Sequence, residues 1–311
     1  MKIAIFGAGG IADKAYLPLL TNWPGVEITG IYSRTAETAI KVANHWHINN
    51  PTNDFDQLVS TQPNAAFVIT NNATHFPFAK RLMHAGVDVF VEKPLAITSQ
   101  EARELADTAD AYQRILMVGF NRRYALLYQQ ARELFGKRKI DMALFEKHRN
   151  TISLSHTNLY DYCLDDTIHQ IDLIRYYCGE VTPFSTKTQK INGKMVSAVS
   201  LLNTKDGGLV VLITSLQAGS WQERVALHGE NYTIEIEAFQ KLKVKSTDHE
   251  EVYGTDRAGK WINNLKERGF YGSIEHFFEC VNSRQQPLTN GRDAQKTHEL
   301  IDAIAACENK T

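Results

Sequence analysis

Several things are missing from this chain, and each absence removes a class of protein. Its four cysteines, Cys163, Cys178, Cys280 and Cys307, never fall at CxxC spacing. That excludes a zinc ribbon and fits reduced thiols in a cytoplasmic protein. No apolar run approaches the ~20 residues that a membrane-spanning helix needs. The Gly-rich run IAIFGAGGIA behind Lys2 is short and is followed at once by Asp13-Lys14, unlike a signal peptide. Charge of one sign is also lacking: 34 Lys and Arg against 35 Asp and Glu leave a net charge of -1. No global field therefore favours nucleic acid or an anionic membrane as partner. There is no internal repeat and no low-complexity linker. What remains is a 311-residue chain with 43% hydrophobic residues, enough for two domains or one large one with an ordinary core.

The first 120 residues alternate short apolar runs with amphipathic stretches. KIAIF, VEITGIY, AAFVIT, DVFV and ILMVGF read as strands. Ile11 to Thr21, Ala36 to His45, His75 to Ala85 and Ser99 to Tyr112 have helical spacing. This alternation predicts an α/β fold with a doubly wound parallel sheet. The pattern changes after Gly119. FNRRYALLYQQARELFG reads as one helix, and a second covers Asp165 to Cys178. Strand-like segments then run from Phe184 to Val252, with a hairpin signal at Asp206-Gly207-Gly208. Helical segments follow near Ser273 to Arg284 and Asp293 to Cys307. The expected domains are residues 1–119, binding dinucleotide, and residues 120–311, an α+β domain with a large, mostly antiparallel open sheet.

The first strand runs into Gly7-Ala8-Gly9-Gly10-Ile11-Ala12, a G-x-G-x-x-A turn between a strand and a helix. Gly7 permits the tight turn, Gly9 lets backbone approach a pyrophosphate, and Ala12 lets helix and strand pack closely. The second strand ends at Ile31-Tyr32-Ser33-Arg34-Thr35, where an NAD site usually carries an acidic residue. None is present, and Glu27 lies at the strand's start. Ser33 and Arg34 suit a 2′-phosphate, so NADP is preferred over NAD. The bland alternative is a solvated arginine in a turn.

Two stretches carry candidate chemistry. Glu92-Lys93-Pro94 follows a later strand of the same sheet, at the end where open α/β sheets bind ligands. Lys93 there suits a developing alkoxide; an exposed loop cation is the rival reading. In LDDTIHQID, Asp165, His169 and Asp172 stand at i, i+4 and i+7, so a helix puts them on one face. His169 suits proton transfer near neutral pH. Three rivals stand beside it: Asp165 or Asp166 as a helix cap, His169 as a core histidine, and a metal site, for which no further ligand lies at the right spacing. The basic strip Lys147-His148-Arg149 reads as a solvated strand edge or as a wall of the same cleft.

These pieces together resemble the Gfo/Idh/MocA family of NAD(P)-dependent oxidoreductases, over nearly the whole chain. GAGGIA and Glu92-Lys93-Pro94 match its two best-known signatures. Thr70-Asn71-Asn72-Ala73-Thr74-His75 resembles its T-P-N-x-x-H loop, with Asn71 in place of Pro. Asp165-x3-His169-x2-Asp172 is similar to its D-x3-H-x2-D helix, with Thr167 where a Gly is usual. GGIADKAYLPLL, VGFNRRYALLY, EKHRN and LDDTIH look most like its MviM-type branch.

The resemblance implies a Rossmann domain followed by an open-sheet domain, a cis Lys93-Pro94 bond, and a homodimer or homotetramer. It assigns catalysis to Lys93, Asp165 and His169, and cofactor contacts to Gly7, Gly9, Gly10, Ile11, Ala12, Ser33, Arg34, Thr70, Asn72, His75, Glu92, Lys93, Pro94 and Asn121. Substrate contacts fall on Arg123, Tyr124, His148, Arg149 and Tyr160, with Arg122, Tyr162 and Trp221 also in view. The expected reaction is hydride exchange between NADP or NAD and a secondary alcohol or ketone of a sugar- or cyclitol-like molecule. The rivals are a non-catalytic dinucleotide-binding regulator of the same fold and a metal-dependent lyase or hydrolase.

Overall fold

A computed structural model describes residues 1–151, 155–254 and 264–308. Its first sheet holds β1 (Lys2–Phe6), β2 (Glu27–Tyr32), β3 (Pro51–Thr52), β4 (Ala65–Val68), β5 (Asp88–Val91) and β6 (Leu116–Val118). All neighbours are parallel, in the order 3-2-1-4-5-6. The strands are apolar without alternation because both faces are covered, and β4 and β5 are buried at every residue. The order reverses between β1 and β4, which opens a crevice outside their carboxyl ends.

The helices of this unit start where side chains satisfy free backbone N–H groups. The Thr35 hydroxyl accepts from Thr38 N ahead of Ala36–Trp46, and Thr98 with Glu101 forms a capping box ahead of Ser99–Ala111. The helix expected from Ile11 is instead a π-helical turn, Ala12–Tyr16, running into a short α-helix, Leu17–Leu20. The helix expected from His75 begins earlier and spans Asn72–His84.

The first unit is Met1–Phe120 together with Phe270–Lys296, a segment expected in the second domain. The helix Phe270–Ser283 lays Phe270 against Tyr16 (ring centroids 5.6 Å apart) and Phe277 against Phe67 (5.4 Å) and Phe90 (5.6 Å). Arg284 pairs with Asp88, and Val118 exchanges backbone and side-chain bonds with Thr289.

The second unit is Asn121–Gly269 with the chain from Thr297 on. Its sheet contains β7 (Met142–Asn150), β8 (Val181–Ile191), β9 (Lys194–Thr204), β10 (Leu209–Ser215), β11 (Gln217–Gly229), β12 (Tyr232–Glu237), β13 (Lys241–Ser246) and β14 (His249–Gly254). The order is 14-13-12-11-7-10-9-8, and every neighbouring pair is antiparallel except β7 with β10. Period-2 alternation buries Ala143, Phe145, Leu212, Val225 and Leu227 on the inner face. The helix Ile168–Cys178 covers β7, β8 and β10, and Leu126–Phe135 covers β12 and β13. β7 lies between β10 and β11, so the strand edge expected around Lys147-His148-Arg149 is the middle of a sheet.

Two helices of this unit also differ from the sequence reading. FNRRYALLYQQARELFG divides into a 3-10 turn, Asn121–Tyr124, and the α-helix Leu126–Phe135. The helix expected from Asp165 begins at Leu159, capped by Asn158, and passes through a π-helical turn, Cys163–Thr167, before Ile168–Cys178. Neither Asp165 nor Asp166 caps it.

Candidate active site

In the first unit a cavity of ≈ 520 Å³ opens at the carboxyl ends of β1, β2 and β4. Gly7, Gly9, Gly10, Ile11, Ser33, Arg34 and Thr70 line it together, as do Thr35, Asn71 and Thr74. Gly7 has φ +123°, and a Cβ there would come within 2.3 Å of the Ile69 carbonyl oxygen, so only glycine fits. A Cβ on Gly9 or Gly10 would meet no protein atom within 4 Å. It would instead project into open space, the room that a backbone cradle for a pyrophosphate requires. Ala12 lies beneath, fully buried. At the tip of β2 the wall carries the hydroxyls of Ser33, Thr35 and Thr38 and the side chain of Arg34, and no lining residue is Asp or Glu.

Glu92-Lys93-Pro94 leaves β5 with a cis Lys93–Pro94 bond, as the resemblance implied. Glu92 is buried and accepts a hydrogen bond from the Tyr16 hydroxyl at 2.9 Å. Burial, and then the Glu92 carboxylate, push the Tyr16 phenol well above its ordinary value. His75 spans two carbonyls: Nδ1 lies 2.7 Å from Pro94 O and Nε2 lies 3.2 Å from Thr70 O. Burial lowers its pKa. Glu92 and His75 thus hold the segment in place. Lys93, half-buried, belongs to the same segment. Neither these residues nor Asn72 and Pro94 line the cavity itself.

In the second unit His169 is buried one residue into the helix after the π-helical turn. Asp165, in that turn, has a side chain 57% exposed, with His156 Nε2 3.3 Å from its Oδ2. Asp166, next along, is buried. Its backbone carbonyl accepts from Lys147 Nζ, and its carboxylate accepts from Arg149 Nε. Lys147 also lies 3.5 Å from Glu223, which holds Arg122 by two bonds of 2.7 and 3.1 Å. Burial works to raise the Glu223 carboxyl, but Arg122 and Lys147 prevail and bring it to about 2.

The remaining expected residues are placed as follows. Asp172, on the expected face with His169, is bound by Arg123 through a buried two-bond pair of 2.5 and 2.8 Å. Asn121, expected at the cofactor, is buried, donates to Arg268 O at 2.8 Å and accepts from Arg122 at 3.0 Å. Tyr124 is buried, and Tyr160 is half-buried on Leu159–Tyr162. The Tyr162 hydroxyl bonds Thr214 at 2.6 Å. His148 points to the face of β7 opposite Lys147 and Arg149, beside Glu146 at 3.7 Å. Trp221 stacks on Phe239, with centroids 6.2 Å apart and planes at 8°.

With this geometry in hand, the comparison with known proteins is direct. The model of the Gfo/Idh/MocA oxidoreductases, an NAD-binding Rossmann fold, matches residues 1–120. Residues 1–120 belong to the Gfo/Idh/MocA family of NAD-binding Rossmann domains. The YceM protein of Salmonella typhimurium is 29% identical over 308 residues, covering 98% of this chain and 97% of that one. The scyllo-inositol 2-dehydrogenase (NAD(+)) of Bacillus subtilis is 21% identical over 98% of this chain and 93% of its own. A crystal structure of a dehydrogenase (MviM) from Clostridium difficile superimposes with a TM-score of 0.89 at 26% identity, covering 98% of each chain. The matched residues form the nucleotide fold of the first unit, and the large mixed sheet lies in the second.

Proposed function

We propose that this oxidoreductase prefers NADP and interconverts a secondary alcohol and a ketone on a polyhydroxylated, sugar- or cyclitol-like molecule. The observation that carries the cofactor preference is the wall at the tip of β2: three hydroxyls, Arg34 and no carboxylate. A 2′-phosphate gains charge-assisted hydrogen bonds there, whereas a ribose 2′-OH finds no acidic acceptor. Gly7, Gly9, Gly10 and Ile11 would hold the pyrophosphate, with Thr70 and Asn71 on the facing wall. Bound nicotinamide supplies the hydride acceptor or donor.

The chain's own groups handle charge and proton. Lys93 supports negative charge on the reacting oxygen, and His169 takes or returns its proton. Asp165, exposed in the turn before His169, binds a neighbouring hydroxyl. The polyol class is supported by the inositol dehydrogenase among the relatives. The four free cysteines support a cytoplasmic setting. No helix among the described residues is long and apolar enough to cross a membrane.

A second copy of the chain is the proposed partner of the outer sheet face. Leu201, Val211, Leu144 and Ala226 form one half-buried row across β9, β10, β7 and β11. Val199, Leu209 and Met142, at 40, 45 and 48% exposure, flank it. A contiguous apolar patch of this kind is characteristic of an interface.

The test is calorimetric titration of nucleotide-free protein with NADPH and then NADH, followed by NADP+ reduction assays with myo-inositol, scyllo-inositol and a methyl glucoside. NADPH binding at least ~10-fold tighter than NADH supports the 2′-phosphate assignment. Binding of neither overturns the reading.

A further inference from the structure

β7 sends alternate side chains to opposite faces, and the inner face carries two cations where its neighbours are Ala143 and Phe145. Lys147 is only 1% exposed, an uncommon state for lysine unless its charge is matched. Its partners are all local. Glu223 is its register partner on β11, and the carbonyl and carboxylate of Asp166 lie above it. Arg149, two residues on, reaches the same carboxylate.

Asp166 sits inside the π-helical turn Cys163–Thr167. A π turn inserts an extra residue into a helix, is rare, and rotates every residue after it. It persists only where its surroundings hold it. Here the hold comes from three places. Tyr162, just before the turn, is fixed to Thr214 on β10. Asp166 within it is fixed to Lys147 and Arg149 on β7. Gln170, just after His169, donates to Glu223 on β11 at 3.3 Å. His169 therefore lies between two anchors on one charged cluster.

We propose that Lys147 and Arg149 are positioning residues: they fix the π-helical turn, and with it the stance of Asp165 and the helical phase of His169. The inference rests on the reading of His169 as the acid/base. It also has an electrostatic side. Arg122, Lys147 and Arg149 face Glu223 and Asp166, so the cluster carries one positive charge in excess, and it binds Asp166 and Gln170 on either side of His169 in the chain. Burial pulls Lys147 down to about 8, against Glu223 and Asp166, which pull it up. Tyr128, Tyr162 and Cys163 face the same cluster, and burial pushes each of them up, so they remain neutral at ordinary pH.

The experiment uses the full chain with carbon-13-labelled histidine, the His169 resonance being assigned by its loss in His169→Gln. Lys147→Met, Arg149→Gln and Arg149→Lys are each followed by NMR pH titration and by amide exchange of the peptide 159–170. Removing a cation favours imidazolium, so the His169 midpoint should rise by about half a pH unit in Lys147→Met and Arg149→Gln. Exchange across the turn should quicken ~10-fold. Arg149→Lys should restore the midpoint. Arg149, 42% exposed, tolerates replacement, so the result stands even where Lys147→Met fails to fold. Faster exchange with an unmoved midpoint would reduce both cations to struts and overturn the proposal, as would no change in either. Turnover by His169→Ala is a separate measurement: if retained, it removes the acid/base reading without touching the geometry tested here.

Discussion

The hydroxyl of Tyr16 donates to the buried carboxylate of Glu92 across 76 residues of sequence, at 2.9 Å. It ties the helical segment after the glycine turn to the segment that carries Lys93. Tyr16→Phe removes the donor and leaves the carboxylate buried, which should cost about 1–3 kcal/mol. Urea unfolding should show a lower midpoint at unchanged slope.

Lys93→Met and His169→Ala should keep NADPH affinity, because neither residue lines the nucleotide cavity. Turnover should fall by roughly 10²–10⁴-fold in each. Calorimetry and initial rates on the same preparations check both halves. Full turnover in both variants would sink the catalytic assignment.

His298, on the helix Gly291–Ala306, is fully buried, and neither ring nitrogen has a hydrogen-bond partner among the described residues. Burial lowers it to about 4, against 6.5 for an exposed imidazole. Between those values the unfolded chain binds the extra proton, so stability is full above pH 6.5 and drains away as pH falls toward 4. The loss should reach about 2 kcal/mol by pH 5. His298→Leu should remove that part of the pH dependence, read as urea midpoints at pH 7 and pH 5.

Val211→Glu places a charge in the centre of the outer sheet row while leaving the inner face untouched. If a second copy covers that face, the unpaired charge should weaken self-association by about 100-fold or more. Sedimentation velocity should then show a shift toward monomer with NADPH binding unchanged.

The sequence made most of the first sheet easy to read, because β1, β4, β5 and β6 are largely apolar runs and the glycine turn falls where β1 stops, whereas the two-residue β3, Pro51-Thr52, left no such signal. The turn signal at Asp206-Gly207-Gly208 likewise exposed the β9–β10 hairpin. Lys147 was hidden by its type. A basic strip reads as solvated, and only the position of β7 in the middle of the sheet shows that every second residue points inward. The π-helical turn left no signal either: DYCLDDTIH has helical spacing whether or not one residue is inserted. The partners of Glu92 and Asp172, Tyr16 and Arg123, lie 76 and 49 residues away, beyond any local pattern.

The packing of Phe270–Lys296 with the first unit sets an order of assembly. On the ribosome the glycine turn and the strands around it emerge first. Phe67, Phe90 and Tyr16 nonetheless lack the rings of Phe270 and Phe277 until most of the second unit has been made. Asp88 waits equally long for Arg284. A polypeptide stopped near residue 120 would display an uncovered aromatic surface to chaperones and proteases. The half of the protein that starts first is completed only after most of the other half has been made.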